Sequence, residues 1–387
     1  MKNIGVIGCL PELPVDFPLL MPENSGNMIH AEAPLRMFPR AVHYKDSRFI
    51  LSGETSFRNF VNKTCSHLII TLANSLSLEK PNPEKYKRLL DSLKQYDVPI
   101  IVFGLGIQSS SRDINKAELC KEAIELLEFL SLKSTLLGVR GEFTKQVIEK
   151  CTNINNVFVT GCPSLFSDPE ALRDLYKKCS LRDFNVASIN VTNLSRISEK
   201  KLFERAVLSN SFFIEPVNKR THQYYIDLIK GKENSDVPYY FNSMINNNEF
   251  SLSKEKLNLY IKTKYRLFRN TKPWYEFNRE CVDYTFGTRF HVNMASVLSG
   301  VPALWLTHDA RTQELTEFFN LPSIDLDAIN SMSLSQIKSY INYDRFFKNI
   351  NQLFNNFNEY LEVNGLPKLK HLKKFNVSRN KLCSLAW

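Results

Sequence analysis

The chain has 387 residues, 43% of them hydrophobic, and carries 50 Lys and Arg against 40 Asp and Glu, a formal charge of +10. That length suits two domains of ordinary size, and the apolar content excludes a disordered chain. The positive balance fits an anionic ligand or an anionic membrane surface; with no basic block on a recognisable nucleic-acid module, nucleic acid is not expected as a partner. Eight cysteines stand at irregular spacing without a Cys-x-x-Cys pair, which points to reduced thiols rather than a zinc module or a disulfide framework. Lys2 and the short apolar run after it faintly resemble a lipoprotein cleavage box, but Pro11 ends the run and a first buried strand is expected instead. No stretch is long enough for a transmembrane helix.

In chain order, residues 2–8 read as that strand. Asn24-Ser25-Gly26-Asn27 then opens a helical segment, 28–38, that stops at Pro39. A glycine turn opening a helix exposes backbone N–H groups to a ligand anion. A strand is expected at 67–72, an amphipathic helix at 86–96 and a strand at 98–103. This last strand runs into Gly104-Leu105-Gly106-Ile107-Gln108. The turn lacks the third glycine of a dinucleotide fingerprint, so NAD is not expected. It serves either close approach of backbone to a phosphate or sugar, or a tight strand-to-helix turn. A helix follows at 117–130, a strand at 136–139 ending in Arg140-Gly141, a helix at 142–150 and a strand at 157–160 ending in Gly161-Cys162-Pro163. Arg140 either faces a cleft or pairs with Glu142. Cys162 invites a nucleophilic reading, but nothing near it in sequence activates it, and a buried turn thiol is the simpler expectation.

The polar segment 167–183 puts a domain boundary near residue 180. Strands are expected at 185–191 and 211–217, with a helix at 203–208 between them. Lys219, Arg220 and His222 follow as a cationic loop, facing a cleft or simply solvated. Residues 234–272 are irregular and then helical; Lys262, Lys264, Arg266 and Arg269 read as a basic surface helix or an anion contact. Trp274 and Tyr275 either stack on a sugar face or pack. Residues 284–286 form a strand broken by Gly287, with Thr288 as N-cap of a helix over 290–298 and a further strand at 301–306. Arg289 and His291 thus stand where a strand end meets a helix N-terminus, the ligand-binding position of parallel sheets. Arg289 offers a planar fork for phosphate or carboxylate, and His291 titrates near neutral pH; the plain alternative is a surface Arg and a half-buried core His. Thr307-His308-Asp309-Ala310-Arg311 is a second such position, opening a helix at 312–320 before a short strand at 323–326. Phe346, Ile350, Leu353, Phe357 and Leu361 mark a long terminal helix that packs back across both domains. Lys370, Lys373, Lys374, Arg379 and Lys381 make a basic tail, either a peripheral membrane contact or a frayed end. The fold class that follows is α/β, with two Rossmann-like domains facing a cleft: 1–180, 181–340, and a terminal helix and tail over 341–387.

Gly287, Arg289 and His291, then Gly300-Val301-Pro302, then Asp309 and Arg311, make an assembly that resembles the C-terminal signature of polysaccharide pyruvyl transferases. The order of the Asn-x-Gly turn, Gly-Leu-Gly, Val-Arg-Gly and Gly-Cys-Pro is similar to that family over nearly the whole chain. The resemblance implies a glycosyltransferase-B-like arrangement with the acceptor on the N-terminal side and the donor on the C-terminal side. It implies transfer of a pyruvyl group from phosphoenolpyruvate to two hydroxyls of a sugar in a surface polysaccharide or its precursor, giving a cyclic ketal. His291 is then the general acid/base and Arg289 holds the donor's anionic groups. Arg311, Lys219, Arg140 and Thr288 are further donor-binding groups, and Asn24, Gly26, Asn27, Gly104, Gly106 and Gln108 line the acceptor side. The family often has Asp where this chain has Asn27, which cannot act as a base. No cofactor or metal is expected, since arginines can neutralise the donor's phosphate. The expected acceptor is a sugar or lipid-linked oligosaccharide, and the expected location is cytoplasmic, with the tail against the inner face of the membrane. Two rivals stand beside this reading. A nucleotide-sugar glycosyltransferase needs a Glu for the donor ribose, and the candidates Glu314 and Glu317 read as helical surface. A non-catalytic glycan-binding subunit needs no chemistry at all.

Overall fold

The computed structural model describes residues 2–21, 23–73, 75–181, 184–232, 236–247 and 249–369. The expectation about the basic tail concerns residues 370–387, which lie outside these. The N-terminal half carries β1 (Asn3–Gly8), β2 (Ala41–Val42), β3 (Cys65–Thr71), β4 (Leu76–Ser77), β5 (Ile100–Phe103), β6 (Ile107–Gln108), β7 (Leu137–Val139) and β8 (Val157–Val159). The C-terminal half carries β9 (Ala187–Asn190), β10 (Phe212–Ile214), β11 (Tyr265–Arg266), β12 (Tyr284–Gly287), β13 (Ala303–Thr307) and β14 (Ser323–Asp325). The first half holds a four-stranded sheet, β2-β1-β3-β5, with β4 beside β6 and β7 beside β8; the second holds one six-stranded sheet, β11-β10-β9-β12-β13-β14. Every pairing is parallel. Runs such as Leu68-Ile69-Ile70 and Ile100–Phe103 are buried along their whole length because helices cover both faces of such sheets.

Each sheet reverses its strand order once: β1 has β2 on one side and β3 on the other, and β9 has β10 on one side and β12 on the other. Crevices open at the carboxyl ends of strands at such points. The class is α/β and glycosyltransferase-B-like, with a parallel sheet in each half and a cavity lined by residues of both.

The two halves share an apolar core. One continuous cluster takes Ile4, Val6, Ile101 and Phe103 from the first sheet, Val297, Leu298 and Trp305 from the second half, and Phe354, Phe357, Tyr360 and Leu361 from the terminal helix Asp344–Val363. That helix starts beside the second half and ends against the first. Tyr360 donates its hydroxyl to Val102 O at 2.7 Å, and Asn356 Nδ2 donates to Val159 O at 2.9 Å. Phe357 lies parallel to Phe166 with centroids 4.4 Å apart.

Three local expectations change. Arg266 belongs to the edge strand β11, because the preceding helix Lys254–Lys264 stops short of it. Lys219, Arg220 and His222 form no loop but the first turns of the helix Lys219–Ile229, capped by the Asn218 side chain. Trp274 and Tyr275 pack: both are buried, and Trp274 lies parallel to Phe268 at 5.3 Å.

Candidate active site

A cavity of about 230 Å³ lies between the halves, lined by Asn24, Gly26, Asn27, Gln108 and Arg140 from the first and by Thr192, Arg289, Phe290, His291, Val292 and Arg311 from the second. Eight residues singled out in the sequence therefore meet in one place: Asn24, Gly26, Asn27, Gln108, Arg140, Arg289, His291 and Arg311.

The turn before the helix Asn27–Met37 is shaped by its own asparagine: Asn24 Oδ1 accepts from Gly26 N at 2.9 Å. Ser25 N donates across the cleft to Pro216 O at 2.9 Å, which ties the turn to the second half. A Cβ on Gly26 would stand 3.4 Å from His291 Cβ, so the glycine brings the turn close to the histidine. Asn27 borders the cavity as a neutral side chain.

On the opposite wall, Asn190 at the end of β9 organises the Arg289 turn. Its Oδ1 accepts from Arg289 N at 2.7 Å, and its Nδ2 donates to Asn293 Oδ1 at 2.7 Å. Asn293 Nδ2 in turn donates to Gly287 O at 3.0 Å. This buried network, which the sequence reading did not single out, fixes the start of the helix Phe290–Val297.

Arg289 itself, not Thr288, is the N-cap of that helix. Its guanidinium is partly engaged: Nε donates to Val191 O at 2.7 Å and Nη2 to Thr192 O at 3.2 Å, with Glu215 Oε1 4.0 Å from Nη2. One edge of the expected bidentate fork is therefore bonded to the chain. Thr288 is fully buried behind the wall, its hydroxyl 2.9 Å from Thr192 Oγ1, and it does not line the cavity. Its hydroxyl faces Thr192 Oγ1 and Glu199 Oε2 rather than a helix N–H.

Arg140 and Arg311 complete the cationic side. Arg140 follows β7 and is 1% exposed. Burial and the charge of Arg311 act against its own charge, while Cys162 and Glu314 favour it. Arg311 stands in the first turn of the helix Ala310–Phe319, with Nη2 3.0 Å from Asp309 Oδ2 and a buried Nε that has no partner among the described residues. Guanidinium groups do not escape such crowding by deprotonating.

His291 borders the cavity and sits 3.3 Å, through Nε2, from Cys162 Sγ. Its pKa is held well below the ordinary histidine value, chiefly by burial and further by Arg140, His30 and Arg311. The ring lies roughly parallel to that of His30, centroids 5.7 Å apart. His30 is fully buried with its pKa pushed down to about 3, again mainly by burial. The sequence reading missed His30; its one signal was position, a single turn past Asn27 on the same helix and face. Cys162 is the expected buried turn thiol, but it bridges the two imidazoles.

Other expected site residues fall elsewhere. Lys219 is exposed at the start of its helix and does not line the cavity. Gly104 and Gly106 lie behind the wall, where they make room for side chains rather than for a ligand: a Cβ on Gly104 would stand 2.3 Å from His30 Cε1, and one on Gly106 2.7 Å from Arg140 Cδ. Arg140 joins the cavity rather than pairing with Glu142 as its structural alternative required. Glu314 is not helical surface but 2% exposed, accepting from Thr144 N at 3.1 Å and Thr144 Oγ1 at 3.0 Å across the domain boundary. Burial pushes its pKa up to about 7, against the opposing pull of Thr144, Arg140 and Arg112. Glu317 is at the surface, paired with Arg112 at 2.8 Å.

Comparison with known proteins gives one family model, described as Polysaccharide pyruvyl transferase, that matches residues 24–310. No curated protein matches the chain significantly. Among solved structures, the chain is similar to UDP-GlcNAc 2-epimerase of Methanocaldococcus jannaschii in complex with UDP-GlcNAc and UDP, at 11% identity over 89% of this chain and 94% of that one, with a TM-score of 0.44. It is also similar to a putative UDP-N-acetylglucosamine 2-epimerase of Listeria monocytogenes, at 10% identity over 96% and 99% of the two chains and a TM-score of 0.43. HepE of Anabaena, in complex with UDP and glucose, gives 10% identity over 94% and 98% and a TM-score of 0.39.

Proposed function

Because the chain belongs to the polysaccharide pyruvyl transferase family, we propose that it transfers the pyruvyl group of phosphoenolpyruvate to two hydroxyls of one sugar of a surface polysaccharide or its precursor. The products are a cyclic ketal and inorganic phosphate. The observation that carries this reading is the convergence of Arg140, Arg289 and Arg311 with His291 on one cavity between the halves. A donor bearing both a phosphate and a carboxylate fits three crowded guanidinium groups, and forked donors match both anions.

The steps assign each group a task. His291 gives a proton to the donor's methylene carbon, which becomes the methyl group. Positive charge builds at the neighbouring carbon, and a sugar hydroxyl attacks it. The hydroxyl's proton returns to His291. Loss of phosphate regenerates an electrophilic carbon, the second hydroxyl closes the ring, and its proton leaves with the phosphate. General acid catalysis of this kind contributes about 10²–10⁴-fold. Burial, and after it the charges of Arg140, His30 and Arg311, hold the His291 pKa well below the ordinary histidine value. A donor trianion beside those arginines reverses the electrostatic part of that shift and raises the histidine's pKa toward the working range. The donor thereby promotes protonation of the acid that acts on it.

Asn24, Asn27 and Gln108 face the same cavity from the first half and supply neutral hydrogen-bonding groups suited to sugar hydroxyls. Glu314, turned into the domain boundary, and Glu317, on the outer surface, do not line the cavity, so neither serves as the ribose carboxylate of a nucleotide-sugar enzyme.

The test is phosphate release from phosphoenolpyruvate with a panel of free and lipid-linked galactosides and N-acetylhexosamines. Release that requires both donor and acceptor is expected. His291→Ala should lower kcat by about 10²-fold or more. Unchanged turnover in that variant removes His291 from the chemistry, and acceptor binding without release leaves a glycan-binding subunit.

A further inference from the structure

We propose that His30 Nδ1, Cys162 Sγ and His291 Nε2 form a binding site for a borderline-soft divalent cation, zinc above all, with the fourth ligand supplied from the cavity by an anion. The three atoms all lie within 4.8 Å of one another. They come from three separate stretches of chain: the first helix, the turn after β8 and the start of the helix Phe290–Val297.

The spacing suits a tetrahedral ion. Zinc bonds of about 2.3 Å to sulfur and about 2.0 Å to nitrogen place sulfur and nitrogen roughly 3.6 Å apart along a tetrahedral edge. The observed separations are 3.7 Å from Cys162 Sγ to His30 Nδ1 and 3.3 Å to His291 Nε2. His30 is also oriented as a ligand: its Nε2 is 3.0 Å from Phe103 O, and a carbonyl only accepts, so the ring hydrogen sits on Nε2 and the lone pair on Nδ1, toward the sulfur. Gly104 bends in the left-handed region, φ +72°, to clear that ring.

The charge ledger of the site names the fourth ligand. On binding, the Cys162 thiol loses its proton to solvent, so a dication adds one net positive charge beside Arg140 and Arg311. The remaining positive charge calls for a phosphate or carboxylate oxygen from the cavity side, where His291 is accessible. Zinc and an oxyanion therefore bind together. If His291 is the proton donor of the proposed transfer, a metal on its Nε2 withholds that proton and inhibits the reaction; this consequence alone rests on the proposed function.

The experiment titrates the full-length, metal-free protein with cobalt(II) in the presence and absence of inorganic phosphate. One equivalent of four-coordinate cobalt is expected, with a thiolate-to-cobalt charge-transfer band, tighter binding with phosphate, and displacement by zinc. Cys162→Ser should abolish the charge-transfer band and weaken zinc binding by about tenfold or more. The exposed Cys281→Ser should keep the band. Absence of the band in the unmutated protein, or its survival in Cys162→Ser, overturns the site. Neither result bears on phosphate release, which tests the transfer reading separately.

Discussion

The two arginines of the second half divide their work by what each already holds. Arg289 bonds Val191 O and Thr192 O, so it shapes the wall as well as charging it. Arg311 has a buried Nε without a partner among the described residues and stands against the charges of Arg140 and Arg289. Arg311→Gln should therefore raise the donor KM by roughly tenfold or more, the loss of one charge-assisted pair, and lower the melting temperature less than Arg289→Lys, since Arg311 gives up only its pair with Asp309. Arg289→Lys should cost both, because an ammonium cannot reach the two carbonyls in the planar geometry of the fork. Kinetics and thermal melts on the two variants separate the roles; equal effects on both readouts would refute the division. His291 sets the sign of the pH profile. In the proposed transfer it acts protonated in the bound complex, so kcat should fall as pH rises through its donor-bound pKa, and His291→Ala should flatten that limb.

Glu314 gives a separate, structural titration. Its carboxyl is raised by burial from 4.5 to about 7 in the fold. The stability it contributes is present below the unfolded value and is lost as pH rises through about 7, an effect of up to about 3 kcal/mol. Glu314→Gln, which still accepts from Thr144, should melt above the unmutated protein at pH near 8 and match it near pH 4.5. Identical melting curves across that range would show that the carboxyl titrates normally.

At the scale of elements, the turns matter more than the strands they join. The Asn190–Asn293 pair is fully buried and holds the start of the helix Phe290–Val297. Asn190→Ala leaves Arg289 N and one Asn293 oxygen without their partner, a cost of about 1–3 kcal/mol for each buried group. The expected outcome is a clear drop in melting temperature together with a weaker donor KM, because Arg289 and His291 ride on that helix start. Gly106→Ala should act on the opposite wall. Its Cβ would stand 2.7 Å from Arg140 Cδ, so the side chain must shift, and donor binding should weaken with the fold intact. An unchanged KM in Gly106→Ala would mean that Arg140 does not touch the donor.

At the scale of the whole molecule, the terminal helix Asp344–Val363 and the shared cluster around it hold the two sheets at a fixed separation. Phe357 is buried at the centre of that cluster, against Phe166 and Phe103. Phe357→Ala should cost about 3–5 kcal/mol. The loss should appear as one cooperative unfolding transition, since the cluster belongs to both halves; two resolved transitions in calorimetry would show the halves to be independent. No helix among the described residues is long and apolar enough to cross a membrane.

Much of this was readable from residue order alone. The alternation of apolar strands with amphipathic helices is a local pattern, fixed by periods of two and 3.6 residues, and it located β1, β3, β5, β12 and the terminal helix closely. The places of Arg289, His291 and Arg311 were readable for the same reason, since strand ends and helix starts are marked by nearby Gly, Asn and Asp. What tertiary structure decided was which atoms those side chains meet. Val191 and Thr192 take one edge of Arg289 because β9 pairs beside β12, a pairing set nearly a hundred residues apart in sequence. Glu314 is buried because its helix docks on the other half, and His30, Cys162 and His291 converge only when both halves share a core. Local periodicity carries no information on such distances, because burial and charge pairing depend on the neighbour in space and not the neighbour in the chain.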